Sequence, residues 1–155
     1  VLSAYTLAYV AEAIGVVRAA RQVRLPVVIS FTVETNGHLP TGQTLRSAIE
    51  DVDAATDNYA AYFMINCAHP DHFTKVLDGG AWMGRLKGIV PNASRCSHVE
   101  LDEATELDAG NPDELGQQLA AIQTDFPHIN ILGGCCGTDL RHLAEIAERS
   151  VQGSA

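Results

Sequence analysis

Two adjacent cysteines in a glycine-rich segment are the residues of this chain best suited to chemistry. The segment reads Ile-Leu-Gly-Gly-Cys-Cys-Gly-Thr over residues 131–138 and contains Cys135 and Cys136. Neighbouring thiols are poor disulfide partners for each other, because the small ring strains the geometry that a disulfide needs. They can bind one soft cation where the backbone turns sharply, and glycine reaches the conformations that such a turn requires. The arrangement favours metal binding by the pair.

A third thiol, Cys67, ends the apolar run of residues 61–67. Three thiolates with an open fourth position are typical of a catalytic rather than a structural zinc site. The cysteines therefore predict a Zn²⁺ site formed by Cys67, Cys135 and Cys136. Two alternatives stay open: Cys67 is a buried small apolar residue, and Cys135 with Cys136 is a thiol redox module.

The bulk composition excludes several classes of partner. The chain has 155 residues, is 46% hydrophobic, and carries 10 basic against 19 acidic residues, a net charge of −9. This charge argues against nucleic acid and against an anionic membrane surface. The apolar runs are too short for a membrane helix, and no signal peptide is visible. Four cysteines are too few for a disulfide scaffold, so we expect a cytoplasmic protein.

Helical and strand patterns alternate along the chain. Apolar spacing, proline positions and glycine pairs predict helices over 9–22, 45–55, 70–77, 111–126 and 139–150. Apolar, largely β-branched runs predict strands over 27–33, 62–67, 87–91 and 129–132, with the tail of another strand at 1–2. A long polar loop is predicted after the third strand.

Strands separated by helices predict a parallel sheet. Two architectures fit, an open doubly wound sheet and a (β/α)8 barrel. No phosphate-binding glycine loop follows the first strand, which argues against the dinucleotide-binding type. In a barrel, reactive residues lie at the carboxyl ends of strands, where Cys67, Asn92 and Cys135 are found. We therefore predict a TIM-type (β/α)8 barrel.

The sequence resembles the homocysteine S-methyltransferases. The resemblance is carried by Ile65-Asn66-Cys67 and by Gly133-Gly134-Cys135-Cys136-Gly137-Thr138, with support from residues 26–32 and 90–93. It covers nearly the whole chain but only the second half of the family's domain. Residues 1–155 are accordingly expected to be part of one homocysteine-binding (β/α)8 domain whose N-terminal half is absent. Because half a barrel leaves two strand edges unpaired, we expect pairing with another copy or with a missing half.

The resemblance implies a zinc-dependent transfer of a methyl group to the thiol of homocysteine. The homocysteine sulfur would take the fourth zinc position, and Asn66, Asn92 and Gly134 would contact substrate. Both asparagines have the alternative role of capping loops. S-methylmethionine or S-adenosylmethionine is the expected donor, since no attached cobalamin domain is visible, and betaine is the less expected donor. The competing interpretation is an inactive half domain that acts as an oligomerising or scaffold piece.

The remaining candidate residues carry weaker predictions. Cys96 matches no position of the signature and is predicted to be a free thiol. His98 has the chemistry of a metal ligand, but contact with solvent or backbone is the favoured interpretation. His69 and His72 follow Cys67 closely, without ligand spacing.

Overall fold

Five parallel strands form the sheet in the part of the chain that the structure describes, and they pair in the order in which they occur along the chain. The computed structural model describes residues 1–152. The strands are β1 (Leu2–Leu7), β2 (Val27–Phe31), β3 (Tyr62–Asn66), β4 (Leu86–Val90) and β5 (Ile131–Leu132).

Within residues 1–152, six α-helices connect or follow the strands. They are α1 (Val10–Gln22), α2 (Leu45–Thr56), α3 (Pro70–Phe73), α4 (His98–Glu103), α5 (Pro112–Asp125) and α6 (Leu140–Gln152). Two 3-10 turns, Thr74–Val76 and Ala81–Arg85, lie between α3 and β4. None of the helices within residues 1–152 has the length and apolarity needed to cross a bilayer.

The sequential strand order bears on the predicted architecture. In a doubly wound sheet the strand order reverses at a switch point. The order β1-β2-β3-β4-β5, with every pairing parallel, contains no such reversal. The described chain is thus an α/β fold with a parallel sheet, consistent with part of a TIM-type barrel. Within residues 1–152, no further strand pairs with the outer edge of β1 or of β5.

The main core lies between the sheet and its helices. Alternate residues of β2, Val27, Ile29 and Phe31, belong to one buried cluster with apolar residues of α1 and α2. Since neighbouring strand residues point to opposite faces, Val28 and Ser30 face the other side of the sheet. Both of these residues are buried as well, so β2 is covered on both faces.

The two largest differences from the sequence prediction lie at β1 and α4; in addition, the helix predicted over 70–77 is α-helical only over Pro70–Phe73, and the strand predicted over 129–132 is Ile131–Leu132. The strand expected to leave only a tail at residues 1–2 runs over six residues, Leu2–Leu7, so the sheet has five strands and not four with a remnant. The alternation of apolar and polar residues is weak in β1, because β1 is an edge strand and most of its residues are exposed. The loop predicted after the third strand contains α4. Its N-cap is Ser97, whose side chain accepts the Glu100 N–H while Glu100 bonds back to Ser97.

Candidate metal centre

Three cysteine sulfurs meet at the carboxyl edge of the sheet. Cys67 directly follows β3, and Cys135 and Cys136 follow β5. The three sulfur atoms lie within 4.8 Å of one another. The structure therefore brings together the three residues that the sequence predicts as ligands, although they come from strands that are not neighbours.

The segment that ends β4 lies between these two groups of cysteines and holds both. The Cys67 N–H donates to the Val90 carbonyl at 3.0 Å, and the Cys135 N–H donates to the Pro91 carbonyl at 2.8 Å. Backbone hydrogen bonds to one strand end thus fix where both cysteines leave the sheet.

Cys67 has an unusual backbone conformation. Its φ is +55°, in the left-handed region that side chains with a Cβ atom rarely occupy. Its N–H is bonded to Val90, and its carbonyl oxygen lies 3.0 Å from Nε2 of His98. Both peptide groups of Cys67 therefore have partners that favour this conformation.

Glycines on either side of the cysteine pair make room for close contacts. Gly137 has a φ of +76°, and a Cβ atom there would lie 2.5 Å from the Asp108 carbonyl oxygen. A Cβ atom at Gly134 would collide with the side chain of Thr138. The Thr138 hydroxyl needs this space, because it donates to the Cys135 carbonyl at 2.6 Å.

Cys67 and Cys135 are joined by a disulfide, with their Cα atoms 5.5 Å apart. Cys136 is a free, exposed thiol whose sulfur lies 4.0 Å from that of Cys135. The redox alternative named Cys135 and Cys136 as the reacting pair. The structure pairs Cys135 with Cys67 instead, since these two residues, which follow β5 and β3, lie 68 residues apart and approach without the constraint of a small ring.

The donor set fits zinc once this disulfide is reduced. Thiolates on a tetrahedral zinc at about 2.3 Å lie roughly 3.8 Å apart, close to the 4.0 Å between Cys135 and Cys136. A disulfide sulfur has no thiolate charge to donate, so reduction must precede metal binding. Three cysteine ligands leave one zinc position for a fourth group.

A cleft of about 470 Å³ opens onto the cysteines. Cys67, Cys136 and Asn92 are among its lining residues. Most of the other lining residues belong to residues 98–108, here called the cover segment, which includes α4. The cover segment contributes both apolar and acidic side chains, among them Leu101, Asp102 and Glu106.

The cover segment is attached at both ends. At its start, His98 contacts the carbonyl of Cys67. At its end, the Ser94 hydroxyl donates to the Asp108 carboxylate at 2.6 Å. The hydrogen bonds from Ser94 and from the Gly110 N–H hold the pKa of the Asp108 carboxyl below its usual value. Just beyond, the buried His142 contacts the Ala109 carbonyl through Nε2 at 2.7 Å.

Asn66 lies directly before Cys67, and both polar atoms of its side chain are hydrogen-bonded. It is 1% exposed, and its Oδ1 accepts both the Thr6 N–H at 2.9 Å and the Ser30 hydroxyl at 2.7 Å. Its Nδ2 donates to the Thr6 hydroxyl at 2.8 Å. This geometry connects the ends of β1, β2 and β3. Contact of Asn66 with substrate remains a prediction.

Asn92 reaches the cleft directly. Its Oδ1 accepts the Ser94 N–H at 3.0 Å, and the residue is 4% exposed. Its Nδ2 has no hydrogen-bond partner within residues 1–152, and Asn92 is one of the residues that line the cleft. Among the predicted substrate contacts, Asn92 has a donor that is free to bind.

The other candidates lie near the site without joining it. Cys96 is a half-buried free thiol, as predicted. His69 caps α3 through Nδ1, which accepts the Asp71 N–H, and burial lowers the pKa of His69 to about 4. His72 contacts the Arg95 carbonyl at 2.9 Å.

Sequence reasoning missed the contacts of the cover segment. The Ser97-x-x-Glu100 pattern signals a helix start and was available in the sequence. That pattern fixes α4 but not the direction of His98, which depends on how the segment folds back over β3. Nothing local marks the contact between His142 and Ala109.

The chain matches a protein-family model and is similar to curated proteins. The family model described as homocysteine S-methyltransferase matches residues 1–150. The chain is 30% identical over 141 residues to a methionine synthase of Mycobacterium leprae, with 88% of this chain covered. It is also 30% identical over 132 residues to a methionine synthase of Mycobacterium tuberculosis, with 84% covered.

Among solved structures, the chain resembles the apo form of the homocysteine methyltransferase MmuM from Escherichia coli. The TM-score is 0.64 at 23% identity, over 97% of this chain. The chain spans 50% of the MmuM chain and about a tenth of the methionine synthases, 11% and 10% respectively.

Proposed function

The chain belongs to the homocysteine S-methyltransferase family, and on this premise we propose that it carries a zinc-dependent site for methyl transfer to homocysteine. The donor would be a sulfonium-type compound and the product methionine. One observation carries the proposal: the sulfurs of Cys67, Cys135 and Cys136 lie within 4.8 Å of one another beside an open cleft.

The cysteine thiolates would hold the metal, and the cleft would align the substrates. A free thiol has a pKa of about 8.5 and is mostly protonated near neutral pH. Bound zinc would supply a thiolate form of the substrate thiol at that pH. The cleft then has to align the homocysteine sulfur with the donor. The new bond joins that sulfur to the methyl carbon, the methyl–S⁺ bond breaks, and the donor leaves as a neutral thioether.

The charge of the cover segment supports the expected choice of donor. Asp102 and Glu106 line the cleft, and among its lining residues within residues 1–152 there is no lysine or arginine. S-methylmethionine and S-adenosylmethionine carry a net positive charge, whereas betaine is a neutral zwitterion with a carboxylate. An acidic wall therefore favours the sulfonium donors over betaine.

Asn92 is the residue best placed to contact substrate. Asn92 lines the cleft and its Nδ2 has no partner within residues 1–152, so its amide N–H groups are available to a carboxylate oxygen of homocysteine. Asn66 would act by fixing the strand ends that carry Cys67. Gly134 would act by admitting Thr138 against Cys135.

Metal analysis tests the zinc site. Protein purified with a reductant and without chelator should contain about one zinc per chain, and Cys136→Ser should lose it. Cys96→Ser is the matched control, because Cys96 is the other free thiol and lies outside the cluster. A fully reduced wild-type protein that binds no zinc would overturn the proposal.

Activity requires a test of its own, because the chain spans half of MmuM. We propose that the unpaired edges of β1 and β5 are covered by a second copy or by the remainder of a (β/α)8 barrel. Light scattering should then show a dimer, or a monomer that becomes active when the complementary half is added. A chain that binds zinc and oligomerises but transfers no methyl group with any donor supports the inactive scaffold alternative.

The disulfide between Cys67 and Cys135 favours a thiol redox role as the second candidate. A redox module would exchange this disulfide reversibly with a thiol partner, and zinc would be irrelevant. Reduced protein that reoxidises in defined glutathione buffers without zinc release would support it.

A further inference from the structure

We propose that His98 is a positioning residue that holds Cys67 in the conformation from which its sulfur meets the other two. This inference rests on the proposed zinc function. The sequence favoured contact of His98 with solvent or backbone, and the structure shows a backbone contact; the family's cysteine signature does not include His98.

Both ring nitrogens of His98 have polar neighbours on the carboxyl ends of strands. Nε2 lies 3.0 Å from the Cys67 carbonyl oxygen and 3.3 Å from the Thr32 hydroxyl. Nδ1 lies 3.2 Å from the Glu34 carboxylate. Because the carbonyl of Cys67 is only an acceptor, Nε2 carries the proton in this contact. The ring orientation is therefore fixed by residues that follow β2 and β3.

The contact of His98 with Cys67 stabilises an unfavourable backbone conformation of Cys67. A left-handed φ of +55° is unfavourable for cysteine and persists where neighbours over-determine it. The Val90 carbonyl holds the N–H of Cys67, and His98 holds its carbonyl. Without His98, one of these two restraints is lost, and Cys67 is freer to return to an extended conformation. Its Cβ atom would then point its sulfur away from Cys135 and Cys136.

His98 also belongs to the cover segment, so the same ring joins the cleft wall to a metal ligand. It is the first residue of α4, directly after the Ser97 cap. The His98 side chain is 31% exposed. A partly exposed ring contributes little to the core, so its removal should leave the fold intact and affect chiefly the site.

Two amide substitutions separate the contacts of His98. In His98→Gln the side-chain nitrogen reaches the position of Nε2 and keeps a donor for Cys67. In His98→Asn the amide reaches only the position of Nδ1, so the contact with Glu34 is kept and that with Cys67 is lost. His98→Ala removes both. His128→Ala is the matched control, since His128 contacts the Met83 carbonyl through Nε2 at 2.9 Å, outside the cysteine cluster.

Cobalt titration of the reduced proteins is the first measurement. We expect His98→Asn and His98→Ala to weaken Co²⁺ binding about tenfold or more, as loss of an outer partner of a metal ligand does. Their thiolate-to-cobalt absorption bands should shift, because the ligand geometry changes. His98→Gln and His128→Ala should keep the wild-type spectrum and an affinity within about twofold.

Hydrogen exchange of the reduced, metal-free proteins is the second measurement. His98→Asn and His98→Ala should speed exchange of the Cys67 N–H and of the cover segment, and His98→Gln should not. Unchanged exchange and unchanged cobalt binding in His98→Asn would overturn the inference, as would equal losses in all three variants. If wild-type protein binds no cobalt while exchange changes as expected, the zinc proposal fails and the positioning role stands.

Discussion

Asn66 and Thr6 are joined by two hydrogen bonds of opposite direction. The Thr6 N–H donates to Asn66 Oδ1 at 2.9 Å, and Asn66 Nδ2 donates to the Thr6 hydroxyl at 2.8 Å. Thr6 has a left-handed φ of +59°, so the asparagine side chain replaces the regular strand pairing there. The result is that β1, an edge strand, is tied across β2 to the strand that carries Cys67.

Asn66→Ala should therefore lower stability strongly. It leaves the Thr6 N–H and the buried Ser30 hydroxyl without their acceptor, which we expect to cost on the order of 2 to 4 kcal/mol of unfolding free energy. Urea unfolding measures the loss. The control is Asn130→Ala, at an exposed position, where a change within about 0.5 kcal/mol is expected. Equal effects at the two positions would contradict this account.

Gly137→Ala should destabilise more than Gly42→Ala, although both glycines have a positive φ, +76° and +84°. Each alanine incurs a left-handed penalty of about 1 kcal/mol. At Gly42 nothing lies within 4 Å of the added Cβ, whereas at Gly137 the Asp108 carbonyl oxygen lies 2.5 Å away. The extra loss at Gly137 should appear in urea unfolding as a lower midpoint. If Gly42→Ala is equally destabilising, the close approach to Asp108 is not what selects glycine.

Because His69 is buried, we expect the folded protein to lose stability as the pH falls. Burial lowers the pKa of His69 from 6.5 to about 4, against the opposing effect of Asp71 and with a smaller contribution from Arg95. Between these pH values His69 is therefore protonated in the unfolded chain but not in the folded chain. Stability is full above about pH 6.5 and falls towards pH 4, by about 3 kcal/mol in total.

His69→Asn tests this in the metal-free protein. Asparagine retains the cap on the Asp71 N–H but does not titrate, so the loss of stability between pH 6.5 and pH 4 should shrink. Denaturant unfolding at several pH values gives the comparison. His128→Gln should keep the wild-type dependence on pH. If the loss of stability between pH 6.5 and pH 4 is as large in His69→Asn as in the wild type, groups other than His69 cause it.

Reduction of the disulfide should destabilise the metal-free protein. Cys67 and Cys135 are 68 residues apart in sequence, and closing a loop of that length stabilises by about 4 kcal/mol in the chain-entropy model. Urea midpoints with and without reductant should differ accordingly. Cys67→Ser should show no dependence on reductant, whereas Cys96→Ser should keep it. A reductant effect that persists in Cys67→Ser would contradict the pairing.

The sequence predicted the site better than its surroundings. Cys67, Cys135 and Cys136 were brought together by one rule, that the carboxyl ends of parallel strands share an edge, and that rule needs no side-chain detail. The helices from Val10 and Pro112 also begin within a residue or two of their predicted starts.

What the sequence did not predict depends on long-range packing. The strand Leu2–Leu7 has few apolar residues facing the core, so its pattern is weak. The contacts of His98 with Cys67 and of Asn66 with Thr6 span 31 and 60 residues, and no local pattern encodes a side-chain direction over such separations. The disulfide is likewise a consequence of where β3 and β5 end.

The position of β4 between β3 and β5 links metal binding to folding. In the unfolded chain Cys67 and Cys135 are separated by 68 residues and form no ligand set. The set exists only after the end of β4 has bonded to both cysteines. A metal bound at these cysteines would stabilise the folded arrangement of β3, β4 and β5, because it binds the folded chain and not the unfolded chain. Metal occupancy would therefore serve as a quantitative reporter of β3–β4–β5 assembly, sensitive to substitutions far from any sulfur.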